Sequence, residues 1–252
     1  MLWLLKLTLA PMLVAGASLA GRRWGPRIAG WIVGFPIVAG PTLFFYAVEQ
    51  GPVFASEAAY KTIIGLYPYC LFALVFAALS ERLNRWLSLG LGWATFFLGT
   101  VVFQAFYAVS LWPTLVLVSC ALGLTWYLLP KPAHAWVPAA HGKWDLWVRM
   151  LSAAALVITL TELADVLGPS WSGILTPFPV ASSVLTMAAH INHGFKGAMP
   201  VLAGVIVGLI SFACFCAVLS VLLVPLGIFP AFLAALVVGA VAQVLILRCW
   251  PK

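Results

Sequence analysis

Long apolar runs recur along almost the whole chain, and polar residues fall mainly between them rather than alternating with them. A helix needs about 20 apolar residues to cross a bilayer core. At that length the pattern predicts spans at 2–20, 27–48, 59–80, 87–108, 111–130, 147–167, 170–191, 198–223 and 227–249. The run 87–130 is too long for one helix at 1.5 Å per residue across about 30 Å, and Trp112-Pro113 offers a break. The expected fold class is therefore all-α: a polytopic helical membrane protein with nine transmembrane helices. In that layout 1–110 is a first four-helix repeat, 111–130 a linker helix, 131–146 a cytoplasmic loop and 147–252 a second four-helix repeat.

One short stretch occurs twice inside these runs. Gly34-Phe35-Pro36-Ile37-Val38-Ala39-Gly40 lies in the second span, and Pro177-Phe178-Pro179-Val180-Ala181-Ser182-Ser183 lies in the seventh. Proline removes a backbone donor and clashes with the preceding turn, so it kinks or breaks a helix. In hydrocarbon the freed carbonyls must face protein or a water-filled cavity. Matching breaks in two halves of a membrane protein point to a transporter's midplane site. The plainer expectation is that both prolines only kink packed helices, with Ser183 bonding back to its own helix.

A shift of 143 residues aligns the halves. It places Gly25-Pro26 on Gly168-Pro169, Gly30 on Gly173, Phe35-Pro36 on Phe178-Pro179, Gly51 on Gly194 and Gly65 on Gly208. Lys6 falls on Arg149. Composition alone inflates matches among Ala, Val and Leu, but it does not readily align this many Gly and Pro residues in one ungapped register. Gly65 and Gly208 are expected to permit close helix approach, as are the small-residue spacings Gly30-x-x-x-Gly34 and Gly204-x-x-x-Gly208. Five spans precede the second copy, so the repeats are expected to be inverted in a 4+1+4 arrangement.

Composition excludes a soluble globular protein: 64% of the residues are hydrophobic and 8% charged. The net charge of +7 does not indicate nucleic-acid binding, because the basic residues sit singly or in pairs between apolar spans. With the N-terminus outside, the inner side carries Arg22, Arg23, Arg27, Arg82, Arg85, Lys131, Lys143, Arg149, Lys196, Arg248 and Lys252. The outer side keeps only Lys6 and Lys61. Treating 87–130 as one span would erase that asymmetry, which favours nine spans with the C-terminus cytoplasmic. Residues 1–20 also have the outline of a signal peptide, but the counterpart of Lys6 at Arg149 favours a retained span. The cysteines read as small buried hydrophobes, and no metal site is expected.

A Gly, then an apolar helix with Phe-Pro near its middle, then Glu49-Gln50-Gly51, then a third helix with Gly65, Tyr67 and Tyr69, resembles the GlpM-like family of small four-span bacterial inner-membrane proteins. The resemblance covers each half separately, so the chain looks like two such units fused through a linker helix. The second copy departs, with Asn192-His193-Gly194 in place of the acidic end. The resemblance implies a multi-pass protein of the bacterial inner membrane and implies no substrate.

The candidate chemistry is sparse. Helix halves starting after Pro36 and Pro179 would expose free N–H groups and a positive dipole end near the midplane, which suits an anion. Pro36, Gly40, Pro41, Pro179, Ser182 and Ser183 are the expected binding residues, with Tyr67 a deeper aromatic beside Tyr69 and Trp93. Glu162 and Asp165 lie three apart near the outer end of the sixth span, and Glu49 ends the second span on the same side. With His190 they are candidates for proton coupling. The bland alternatives are carboxylates wetted by headgroups, and histidines His190 and His193 anchoring at the interface. No cofactor is implied, and no nucleophile constellation marks an enzyme.

The function expected is a secondary transporter or flippase for a small anionic or lipid-phosphate substrate, with proton coupling as an option. The alternative is a non-transporting accessory or scaffold subunit of a membrane enzyme complex. The expected partners are membrane lipids, the anionic or lipid ligand and, as an option, further copies of the chain.

Overall fold

The computed structural model describes residues 35–104, 110–130 and 145–249, together with residues 6, 8, 11–13, 15 and 16. All regular structure among them is helical. In chain order the helices are α1 (Ala39–Glu49), α2 (Pro52–Ile64), α3 (Leu66–Leu79), α4 (Arg85–Gln104), α5 (Leu111–Leu128), α6 (Asp145–Glu162), α7 (Ala164–Leu175), α8 (Val180–Leu226) and α9 (Ile228–Cys249). Five helical stretches are long and apolar enough to cross a membrane: Pro52–Leu79, Arg85–Gln104, Leu111–Leu128, Val180–Leu226 and Ile228–Ile246.

The boundaries follow local chemistry. Glycine takes positive φ without a Cβ clash, and Gly51 (φ 92) turns the chain so that Pro52 can open α2, where its missing N–H costs nothing. Gly194, its partner in the 143-residue register, also has positive φ (62) and makes a corner inside Val180–Leu226. That stretch is thus two helices meeting at Gly194, between the expected spans 170–191 and 198–223. The apolar run 87–130 holds two helices as well, since the backbone of Ser110, just before α5, is extended (ψ 157). Pro113 sits in the first turn of α5, where the backbone donors have no intrahelical partner to lose.

Some expected boundaries need correction. The span expected at 59–80 begins at Pro52 and bends at Gly65 between α2 and α3, because the Gly51-Pro52 pair starts a helix earlier than hydropathy does. The span expected at 147–167 contains a turn at Leu163, between α6 and α7. The span 2–20, the first part of 27–48 and most of the loop 131–146 lie outside the described residues.

Helices α2 and α8 form the centre, packed against α3, α5, α7 and α9. Small residues set the closest approaches. A Cβ on Gly65 would lie 2.5 Å from the Ile174 carbonyl oxygen, and one on Gly173 would overlap the Ala58 carbonyl. The Thr62 hydroxyl ties the same seam, 2.8 Å from the Ala58 carbonyl and 3.0 Å from that of Gly173. Threonines elsewhere return their hydroxyls to the carbonyl four residues back, which hides a polar group inside its own helix. The outward faces of α4, α5 and α9 carry large exposed apolar side chains, among them Leu98, Val116 and Leu233. Such a surface is compatible with a surrounding bilayer.

Candidate functional site

Both proline stretches are non-helical. Phe35 to Val38 leads into α1 at Ala39, with the residues before Phe35 outside the described ones, and Thr176 to Pro179 separates α7 from α8, which starts at Val180. The two proline stretches face one small pocket of about 50 Å³. Its walls come from both of them, including Phe35, Pro36, Ala39, Phe178, Pro179 and Ser182, with Tyr69 of α3 and Phe212 of α8 alongside.

The 143-residue register runs through this pocket. Phe35 pairs with Phe178, Pro36 with Pro179, Val38 with Ala181, Ala39 with Ser182 and Tyr69 with Phe212, and all ten residues line it. The packing behind the walls keeps the same register. Phe178 meets the rings of Phe96 at 5.3 Å and Phe97 at 5.1 Å in α4. A Cβ on Gly239 of α9 would lie 3.4 Å from the Phe35 ring, and Gly239 is the register partner of Phe96. Each break therefore lodges its phenylalanine against a helix of the other half.

The polar groups are few and specific. The Tyr69 hydroxyl donates to Ser182 Oγ, and the Ser182 hydroxyl donates to the Pro179 carbonyl at 3.2 Å. Thr176 donates to the Ser172 carbonyl at 2.7 Å. Those hydroxyl protons are engaged. The backbone amides of Ala39, Ala181 and Ser182 donate to no backbone carbonyl among the described residues, because the helices begin there and no preceding turn supplies an acceptor. No charged side chain lines the pocket among the described residues. The free donors are therefore main-chain amides at two helix N-termini, the arrangement that favours a negative group.

The other expected binding residues lie around the pocket rather than in it. Gly40 packs beside Pro36, and Pro41 is buried in the first turn of α1. Ser183 accepts a hydrogen bond from Trp93 Nε1 at 3.0 Å, so it fixes the wall instead of facing the cavity. Tyr67 stacks on Phe103 at 4.9 Å, and Tyr69, two positions on, is the tyrosine that reaches the cavity.

A second polar group lies away from the pocket. Lys6 Nζ is 2.8 Å from Glu49 Oε1 and 2.9 Å from Glu162 Oε1, and it approaches the Phe45 ring at 5.7 Å. The lysine side chain is 2% exposed, while Glu49 is 22% and Glu162 44% exposed. Among the described residues, two carboxylates and one ammonium leave a net negative charge at this end. Asp165 is exposed in the first turn of α7 and does not share this arrangement. His190 sits far along α8, edge-on to the Phe76 ring. Lys6 had no signal as a partner of either glutamate, since 156 residues separate it from Glu162. No group of three or more potential metal ligands occurs among the described residues.

Comparison with protein-family models, with curated proteins and with solved structures gives no match.

Proposed function

We propose that this chain is an integral membrane secondary transporter or flippase that holds an anionic group, of a small solute or a lipid phosphate, in the pocket between its two broken helices. The observation that carries this is the pocket's lining: five pairs of residues, each pair in the 143-residue register, contributed by both breaks and the helices beside them. On this reading the halves are inverted four-span repeats joined by α5, nine spans in all, as span parity and the placement of basic residues suggest; the GlpM-like resemblance implies two four-span units fused through a linker helix. The N-terminus is outside and the C-terminus cytoplasmic in a bacterial inner membrane. Discontinuous helices let a site form at the midplane, with amides aimed at an anion and no fixed cation to hold it too tightly for release.

Glu162, with Glu49 and Lys6 beside it, is the coupling group at the outer end. Protonating one carboxylate there would neutralise the net negative charge of the cluster. Asp165 and His190 are further candidates for proton uptake. The mostly apolar pocket walls favour one competing reading, an accessory subunit that uses the breaks only for shape.

The test is a thermal-shift series on detergent-purified protein, because a ligand that binds the folded state raises its unfolding temperature. Short-chain carboxylates, inorganic phosphate and phosphatidic acid are the probes. The transport reading expects at least one to stabilise the wild type and to fail with Ala181→Leu, which fills the pocket. No shift with any of them favours the accessory reading.

A further inference from the structure

Thr186 departs from the habit of its neighbours. In Thr42, Thr62, Thr100, Thr161 and Thr176 the hydroxyl returns to the carbonyl four residues earlier. Thr186 is 2% exposed, yet its Oγ1 meets no partner among the described residues. Four residues before it stands Ser182, in the pocket wall. Four residues after it stands His190, whose Nδ1 is buried and unpartnered, and three further on His193 Nε2 is in the same condition. Spacings of four, four and three keep all four side chains on one face of a helix, and α8 is unbroken from Val180 to the corner at Gly194.

The lengths agree with a path from the pocket to one surface. Ser182 to His193 is eleven residues, about 16 Å at 1.5 Å per residue, half of a core about 30 Å thick. Exposure rises along it: Ser182 and Thr186 are buried, His190 and His193 half-buried, and Asn192 exposed. A buried polar atom without a partner is destabilising. Three on one face, leading out of a cavity, make a pattern that bound water satisfies.

We infer that Ser182, Thr186, His190 and His193 line a hydrated file that carries protons between the pocket and the histidine end of α8. The inference rests on the transport reading and adds the route. A hydroxyl donates and accepts at once, and an imidazole takes a proton on one nitrogen while releasing one from the other. A proton arriving at His193 passes through water to His190, then past Thr186 to Ser182. One proton enters and one leaves, and no bond between heavier atoms changes. Ser182 closes the file because its Oγ also accepts from Tyr69. Arg85 of α4 is the charged group facing His190, and the Phe76 ring of α3 covers its edge.

The experiment uses the full chain in liposomes loaded with a pH-sensitive dye, with protons driven by a valinomycin potassium potential. Wild type should pass protons above empty liposomes. Thr186→Val keeps the shape without the hydroxyl and should cut that flux at least tenfold, and Thr186→Ser should restore it. Unfolding temperature separates this from damage: Thr186→Val should stay close to wild type, because the hydroxyl bonds water in the file and no protein group among the described residues loses a partner. Water-edited solid-state NMR should also place mobile water at Thr186 and His190 of the wild type. No proton flux in the wild type, unchanged flux in Thr186→Val, or dry Thr186 and His190 would each overturn the file. Anion-induced stabilisation that disappears with Ala181→Leu would keep the pocket reading standing in any of those cases.

Discussion

The Tyr69 hydroxyl donates to Ser182 Oγ across 113 residues of sequence, and both residues line the pocket. Tyr69 is 3% exposed and Ser182 3% exposed, so the bond forms in a setting with little water to replace it. It joins α3 of the first half to α8 of the second at the place where the breaks meet. Removing one partner of a buried hydrogen bond costs about 1–3 kcal/mol. Tyr69→Phe should therefore lower stability by about that amount in a detergent unfolding titration. Ser182 keeps its bond to the Pro179 carbonyl, so the break itself should persist. A variant as stable as wild type would mean the bond contributes nothing net.

The close seam between the halves depends on glycine. A Cβ at Gly65 would crowd both the Ile174 carbonyl and the Pro177 ring, while one at Gly123 would meet nothing within 4 Å. Forcing a methyl group into a packed interface costs about 1–3 kcal/mol. Gly65→Ala and Gly173→Ala should each destabilise by at least that much, and Gly123→Ala should be neutral or slightly stabilising by relieving glycine's helix penalty. Thermal unfolding of the three variants side by side reads the difference.

The ion cluster predicts an order of effects. Lys6 is buried with two partners, so Lys6→Met leaves Glu49 and Glu162 facing each other without a counter-charge. A broken buried pair costs about 3–5 kcal/mol, and solvent around the partly exposed carboxylates brings the cost here below that range. Glu162→Gln should be far milder, because Glu162 is half wetted and Glu49 still pairs with Lys6. Adding Glu49→Gln to Lys6→Met should recover part of the loss. In uptake assays Glu162→Gln should abolish pH-driven transport despite its small effect on stability; unchanged uptake would remove Glu162 from the mechanism.

What was legible in the sequence was whatever proline and glycine decide locally. Pro36 and Pro179 keep their stretches out of helix wherever the rest of the chain goes, and Gly51 turns the chain regardless of what α2 meets. The split of 87–130 was visible for the same reason. Choice of face was not visible. α3 is apolar all round, so nothing in Leu66–Leu79 distinguishes Tyr67, which stacks on Phe103, from Tyr69, which reaches the pocket. Partners distant in sequence were equally silent. Glu49 and Glu162 could be assigned to one side of the membrane, but no local pattern joins either to Lys6. Thr186 looks like any threonine in an apolar helix until its hydroxyl is seen to ignore its own backbone. The broken helices also escape a length criterion, since α1 and α7 are each short pieces on one side of a break.

The central claim is that the pocket between the two breaks opens to each side of the membrane in turn. Ala181→Cys in a background without other cysteines places a thiol in its wall. Its labelling by a membrane-impermeant thiol reagent, applied from the outside and then from the inside of oriented vesicles, tests that claim most directly. The transport account predicts labelling from both sides, with a bound anion slowing it. A thiol reached from one side only, or from neither, would contradict it.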